Sequence, residues 1–293
     1  MAYKIFTPLF IIFFFFTTLL FGCVQSKPIS FDGNNAMYYI ERQIELGPRI
    51  PGSASSVAMR GFIKKEMELS GWIVENQNFT FDQENLTNVI AKSSNSPPKI
   101  IFGTHYDTRA FSDNELSQSL KQTPVPGAND GASGTAVLLE LGRTLSREEL
   151  DIWFVFFDAE DQGNIKNWEW SIGAQYFVNQ LNFPPEYVII IDMIGDANLE
   201  IYKEINSTAS LVESIWYEAE KLGYQSYFIQ DYKYSIIDDH LPFINKGIPT
   251  CLIIDLDYPY WHTTKDKLDK VSGKSLKIIG DVLISWLSTH TKK

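Results

Sequence analysis

Four stretches of the chain are apolar without interruption, and each ends in a turn or a polar residue. They are Lys99–Thr104, residues 152–157, Tyr187–Asp192 and Pro249–Asp255. Runs this short, rich in Ile, Val and Phe, read as strands buried on both faces, as in a parallel sheet under helices. Between them the spacing becomes helical. Asn34–Leu46 carries Met37, Ile40 and Ile44 on one face, and a helix opened by Ser53 or Ser55 runs to about Ser70 with Met59, Phe62, Ile63 and Met67 aligned. Thr135–Leu145, Ala174–Leu181, Ser207–Leu222, Leu241–Lys246 (closed by Gly247) and Ser272–Ser288 continue the helical series. Trp72–Phe81 and Asn88–Lys92 alternate like paired strands, and Gln225–Ile229 reads as one further strand. Alternating strands and helices predict an α/β fold: a single domain with a mixed, mostly parallel central sheet and helices on both faces.

Composition adjusts this picture at the N-terminus. Lys4 precedes an almost unbroken apolar run, Ile5–Phe21, and then Gly22 and Cys23. Residues 1–23 read as a signal peptide, a lipoprotein signal with Cys23 as the lipid-bearing residue, or an uncleaved membrane anchor. Residues 24–33 form a polar tether, and 34–293 the catalytic domain. The expectation is an exported protein held at the outer face of a membrane, or secreted. Beyond Cys23 only Cys251 remains, in an apolar run, so neither a disulfide framework nor a cysteine zinc site is available. The formal charge of −11 and the lack of a basic cluster argue against nucleic acid as a partner.

Candidate chemistry gathers at the strand ends. Residues 152–157 are followed by Asp158, Glu160 and Asp161. Carboxylates that lose their hydration together need compensation, most simply a cation. His105 follows one buried strand, Asp130 lies in a Gly-rich loop opening a helix, Asp192 closes another strand and His262 lies in the loop after the last. Two histidines and four acidic residues thereby fall on one sheet edge, at the strand C-terminal ends where open α/β sheets bind ligands. Imidazole and carboxylate suit Zn²⁺. Taken singly, Asp130 could cap its helix, His262 could be core, and Asp158 is read as structural.

The motifs His105-Tyr-Asp107, Gly127-Ala-Asn-Asp130, Phe157-Asp-Ala-Glu160-Asp161, Asp192-Met-Ile-Gly195 and His262-Thr-Thr-Lys-Asp266 resemble those of two-zinc aminopeptidases. Within that superfamily, Asp238-Asp239-His240-Leu-Pro-Phe243, Tyr258-Pro-Tyr-Trp261-His262 and the insertion Gln162–Ile172 with Trp168 and Trp170 resemble the glutaminyl-peptide cyclotransferase branch. The resemblance implies zinc on Asp130, Asp161 and His262, with His105 and Asp192 completing a second zinc if the protein is a peptidase. It implies Glu160 as proton shuttle, Asp192 and Asp238 as its hydrogen-bonding partners, and Trp261, Trp168, Trp170, Tyr258 and His240 around the substrate. Asp161 stands where the family more often has Glu, a reach shorter by one methylene.

The expected activity is conversion of N-terminal glutamine to pyroglutamate with release of ammonia, on peptide or protein N-termini. A two-zinc aminopeptidase and a non-catalytic binding ectodomain with a structural metal are the alternatives.

Overall fold

The computed structural model describes residues 1–3, 30–147 and 150–291. The N-terminal apolar run, Cys23 and most of the tether lie outside these residues. Among the described residues no helix is long and apolar enough to cross a membrane.

The strands are β1 (Ile73–Phe81), β2 (Glu84–Lys92), β3 (Ile100–His105), β4 (Ile152–Phe157), β5 (Tyr187–Asp192), β6 (Ile201–Glu204), β7 (Phe228–Tyr234) and β8 (Thr250–Ile254). The helices are α1 (Gly33–Glu45), α2 (Ala54–Leu69), α3 (Ala132–Thr144), α4 (Ile172–Gln180), α5 (Ala209–Lys221), α6 (Leu241–Asn245) and α7 (Gly273–His290). Six strands form the main sheet in the order β1-β2-β4-β3-β5-β8. The β1–β2 and β2–β4 pairs are antiparallel, while β4–β3, β3–β5 and β5–β8 are parallel. The expected mixed, mostly parallel sheet is therefore present.

Strand alternation sorts the apolar side chains into two cores. Phe154 and Phe156 of β4, Ile189 and Ile191 of β5, and Cys251 and Ile253 of β8 face α1, α2, α3, α5 and α7. Trp153, Val155, Phe157, Val188, Ile190 and Leu252 face Phe177 and Val178 of α4 and Phe243 of α6. Both faces of each central strand are covered, which is why those runs show no polar interruption.

Several boundaries differ from the pattern-based reading. His105 is the last residue of β3 rather than a residue beyond it. β2 begins at Glu84, because Asp82 and Gln83 take left-handed φ values of 46° and 67° and close a two-residue hairpin turn. The strand placed at 225–229 is β7, 228–234, whose exposed polar half hides it from a search for apolar runs. β6 was not anticipated; it pairs with β7 in a separate two-stranded sheet. The domain also starts earlier than Asn34, since Phe31 is buried and the Asp32 carboxylate caps α1 by accepting from the Asn34 and Asn35 amides. α2 is capped by Ser53, whose hydroxyl accepts from the Ser56 amide.

Gly134 lies where α3 crosses the sheet. An added Cβ there would sit 2.1 Å from Thr104 Oγ1 and 2.8 Å from the Ile191 carbonyl oxygen, whereas at Gly61 of α2 it would meet nothing within 4 Å. Opposite signs follow. Gly61→Ala should stabilise the domain by about 0.5–1 kcal/mol through helix propensity. Gly134→Ala should destabilise it by roughly 1–3 kcal/mol through overpacking. Denaturant midpoints of the two variants check both signs.

Candidate metal centre and active-site cavity

Each polar residue of the site is held by an element end. His105 closes β3, Asp192 closes β5, and Glu160 and Asp161 follow β4 after Ala159, which adopts φ 56°. Asp130 ends the loop into α3. It does not cap that helix, because the N-cap is Gly131 and no side chain caps it. His262 sits in the loop after β8 with φ 55°, a left-handed conformation that turns the ring toward the other ligands.

Two clusters of potential ligands result, His105–Asp130–Asp192 and Asp130–Asp161–His262, with ligand atoms in each within 4.8 Å of one another. Asp130 is common to both. The two differ in how their atoms are satisfied. His105 Nε2 lies 3.0 Å from Asp192 Oδ1 and hydrogen-bonds to it. In the other cluster both Asp161 oxygens and Asp130 Oδ2 are buried without a hydrogen-bond partner. His262 Nε2 is only 2.9 Å from Asp161 Oδ1, but the contact lacks hydrogen-bond alignment. Buried carboxylate oxygens without a donor, grouped with an imidazole nitrogen, suit an N/O site for zinc.

The electrostatics agree. Burial, then the neighbouring Asp130, pushes the Asp161 carboxyl up to about 7. Burial also raises Glu160 well above the usual carboxylate range; His105 opposes this and Asp238 and Asp239 reinforce it. The Asp238 carboxyl is pushed up to about 7 by burial and by Asp192. Burial disfavours charge on both rings, yet the facing carboxylates win. Asp192 leads in holding His105 well above its ordinary value, and Asp161 in raising His262 to about 10. So many buried acids must share protons or a cation.

A cavity of about 280 Å³ opens over these groups. Glu160, Asp192, Asp238, Trp170 and Trp261 line it together with the Asp130–Asp161–His262 cluster. Trp170 stacks parallel to the His262 ring, centroids 6.0 Å apart, with the Arg109 guanidinium 5.0 Å from its indole. It lies so close to residue 163 that only glycine fits there, since a Cβ would be 2.1 Å from the indole.

Three residues expected around the substrate, Trp168, Tyr258 and His240, do not line this cavity. Trp168 is buried on the far side of the insertion, edge-on to Phe81 and donating Nε1–H to Asp82. Tyr258 is buried, and its hydroxyl donates to Asp266 Oδ1 at 2.7 Å. His240 is fully buried behind Asp238, with Nε2 3.3 Å from Glu204 Oε2. The motif resemblance marked all three; their direction is set by backbone turns that a motif does not reveal. Asp158 is structural as read, accepting from the Thr87 amide.

Several supporting residues were not singled out. Asp107 accepts the backbone amides of Glu160 and Asp161 at 3.0 and 3.2 Å and lies 3.4 Å from His105 Nδ1. Its place two residues after His105 was the available signal. Asp266 accepts the amides of Asn129 and Asp130, fixing the loop that presents Asp130. Asp113 lies 3.5 Å from His262 Nδ1 and accepts from Arg109, which also donates to the Asp161 carbonyl. Glu204 accepts from Ser207 and from the Ile236 amide, bracing the segment that carries Asp238. Asp113, Arg109 and Glu204 are distant in sequence from what they support and left no local signal.

The family model of Peptidase family M28 matches residues 88–287. The glutaminyl-peptide cyclotransferase of Boiga irregularis is 26% identical, with 85% of this chain and 79% of that protein covered. The crystal structure of Bacteroides thetaiotaomicron glutaminyl cyclase bound to N-acetylhistamine superimposes with a TM-score of 0.82 at 32% identity, covering 88% of this chain and 98% of that one. That of a Zn-dependent exopeptidase from Parabacteroides distasonis gives 0.81 at 30% identity, with coverage of 87% and 97%.

Two outcomes follow from the supporting groups. Asp107→Asn should weaken zinc retention about 10–100-fold, as losses around ligands commonly do, read by chelator competition with the fold checked by circular dichroism. Asp158 has its pKa raised by burial, and next by Asp107, to about 7. An acid raised on folding favours the folded state while protonated, so its contribution is lost as pH rises from about 4 through about 7. Thermal melts across that window should fall less steeply in Asp158→Asn than in the parent protein.

Proposed function

The chain belongs to peptidase family M28, and from that premise we propose that it is a zinc-dependent glutaminyl-peptide cyclotransferase acting on peptide N-termini. One observation carries the choice within the family. A further buried carboxylate, Asp238, lines the same small cavity as Glu160 and Asp192, and two tryptophans wall it. Cyclisation needs a proton carrier, a folded substrate conformer and exclusion of water, and this cavity offers all three.

One zinc per chain is proposed, held by Asp130, Asp161 and His262, whose partnerless buried oxygens suit it. When bound, it supplies a Lewis acid for the γ-carbonyl of the glutamine side chain. Glu160 takes a proton from the α-amine as that nitrogen bonds to the γ-carbonyl carbon. It returns the proton to the nitrogen that leaves as ammonia when the amide bond breaks. Burial keeps the proton affinity of Glu160 high, and the negative charge of Asp238 adds to it; Asp192 lines the cavity beside them. Trp170 and Trp261 hold the glutamine folded and keep water out. The apolar run at residues 5–21 supports export and attachment to a membrane.

The complete His105–Asp130–Asp192 cluster favours a second reading, a two-zinc aminopeptidase. Gln-peptides and Leu-peptides assayed side by side separate the two. The cyclase reading expects pyroglutamate and ammonia from the Gln-peptide, no amino acid from the Leu-peptide, and about one zinc per chain. Free amino acid without pyroglutamate would sink it. Glu160→Gln should retain zinc while turnover drops by roughly 10²–10⁴; loss of the metal would instead make Glu160 a ligand.

A further inference from the structure

The cavity over the ligand clusters has a neighbour. A groove of about 430 Å³ begins at Trp170, Ile237 and Asp238, the three residues it shares with the catalytic cavity, and runs between α4 and α6. Three other surface cavities share no residue with the catalytic one. Both helices start at the site: α4 follows Ser171, whose hydroxyl is 3.3 Å from Glu160 Oε1, and α6 follows His240.

Successive turns of the two helices line the groove. Ser171, Gln175, Val178 and Asn179 come from one side, and Leu241, Pro242, Asn245 and Lys246 from the other. The polar wall residues grow more exposed along this path, although Val178 stays buried and Ile237, at the inner end, is exposed. Ser171 and Asp238 are buried, Gln175 and Leu241 half-buried, Asn179 and Asn245 exposed. The groove is therefore an open trench that leads from solvent to the proton carrier. Near its outer end Lys246 Nζ donates to the Val178 carbonyl at 2.8 Å and ties α6 to α4.

We propose that this trench holds the two or three residues that follow the cyclising glutamine. Its chemistry matches a peptide backbone more than any particular side chain. The lining is apolar at Val178, Leu241 and Pro242 and carries the carboxamides of Asn179 and Asn245, each able to donate to a carbonyl and accept from an amide, while Gln175 donates to the Trp170 carbonyl and keeps its Oε1 as an acceptor. Of the charged residues that line it, Asp238 lies at the inner end, and Glu169 and Lys246 complete the set. A substrate whose first residue is enclosed must pass its remaining chain through an opening, and the trench is contiguous with the reacting groups. Substrate choice beyond the first residue then depends on chain length and an extended backbone. The inference rests on the cyclase reading.

The experiment compares kcat/KM for a Gln-dipeptide amide and a Gln-tetrapeptide amide with small neutral residues after glutamine, using the intact protein loaded with zinc. The tetrapeptide should be favoured about tenfold or more, because remote contacts can be used to orient the reacting end. In Asn245→Trp, which fills the trench, the ratio should fall toward one, and Asn245→Ala should give an intermediate value and stands in if the larger side chain prevents folding. Equal kcat/KM for the two peptides in the parent protein, or a ratio unmoved by the variants, overturns the trench. Absence of pyroglutamate from either peptide overturns the cyclase reading itself, a separate and recognisable failure.

Discussion

The whole arrangement depends on concentrating negative charge where water is largely excluded. Asp130, Glu160, Asp161, Asp192, Asp238 and Asp239 are all buried, and all but Asp239 line one cavity. Their mutual repulsion and lost hydration would scatter them without counter-charges. His105 and His262 offset part of it, and a cation in the Asp130–Asp161–His262 cluster would offset more. The fold answers the same constraint with dipoles: Asp107 and Asp266 pin the carboxylate-bearing loops through backbone amides rather than through lysine or arginine. Amides hold position without neutralising the charge that a metal needs.

The sheet explains why such a site is stable. Two independent cores, one on each face, clamp β3, β4, β5 and β8, so the strand ends are fixed before any ligand contributes. Part of the backbone strain falls beside the site. Ala159, Met193 and His262 all adopt positive φ, and each adjoins or is a ligand or proton carrier. Cooperative packing of the strands overrides these local preferences.

Much of this was legible in the sequence, and the failures have definable causes. The central strands could be read because burial on both faces removes every polar residue from them. All of the ligands and proton-carrying acids could be placed together because strand ends in a parallel sheet share one edge, a matter of topology rather than of side-chain detail. β7 was misplaced because only its first residue, Phe228, is fully buried. The aromatic assignments failed at Trp168 and Tyr258 because direction depends on the local chain path. Between Asn164 and Ser171 four non-glycine residues adopt positive φ, Asn164, Lys166, Asn167 and Ser171, and no periodicity foretells that. Glu204 and Arg109 were invisible because their partners are 32 and 52 residues away in the chain.

That insertion separates two demands on neighbouring residues. Trp168 is wedged against Phe81 and hydrogen-bonded to Asp82, while Trp170, two positions on, faces the cavity. One anchors the loop and the other meets what enters it. Because the anchor does not share its contacts with the cavity wall, change at position 170 need not loosen the loop. Sequence drift could retune this wall at little thermodynamic risk, and a lineage could move between related chemistries through viable intermediates without rebuilding its fold.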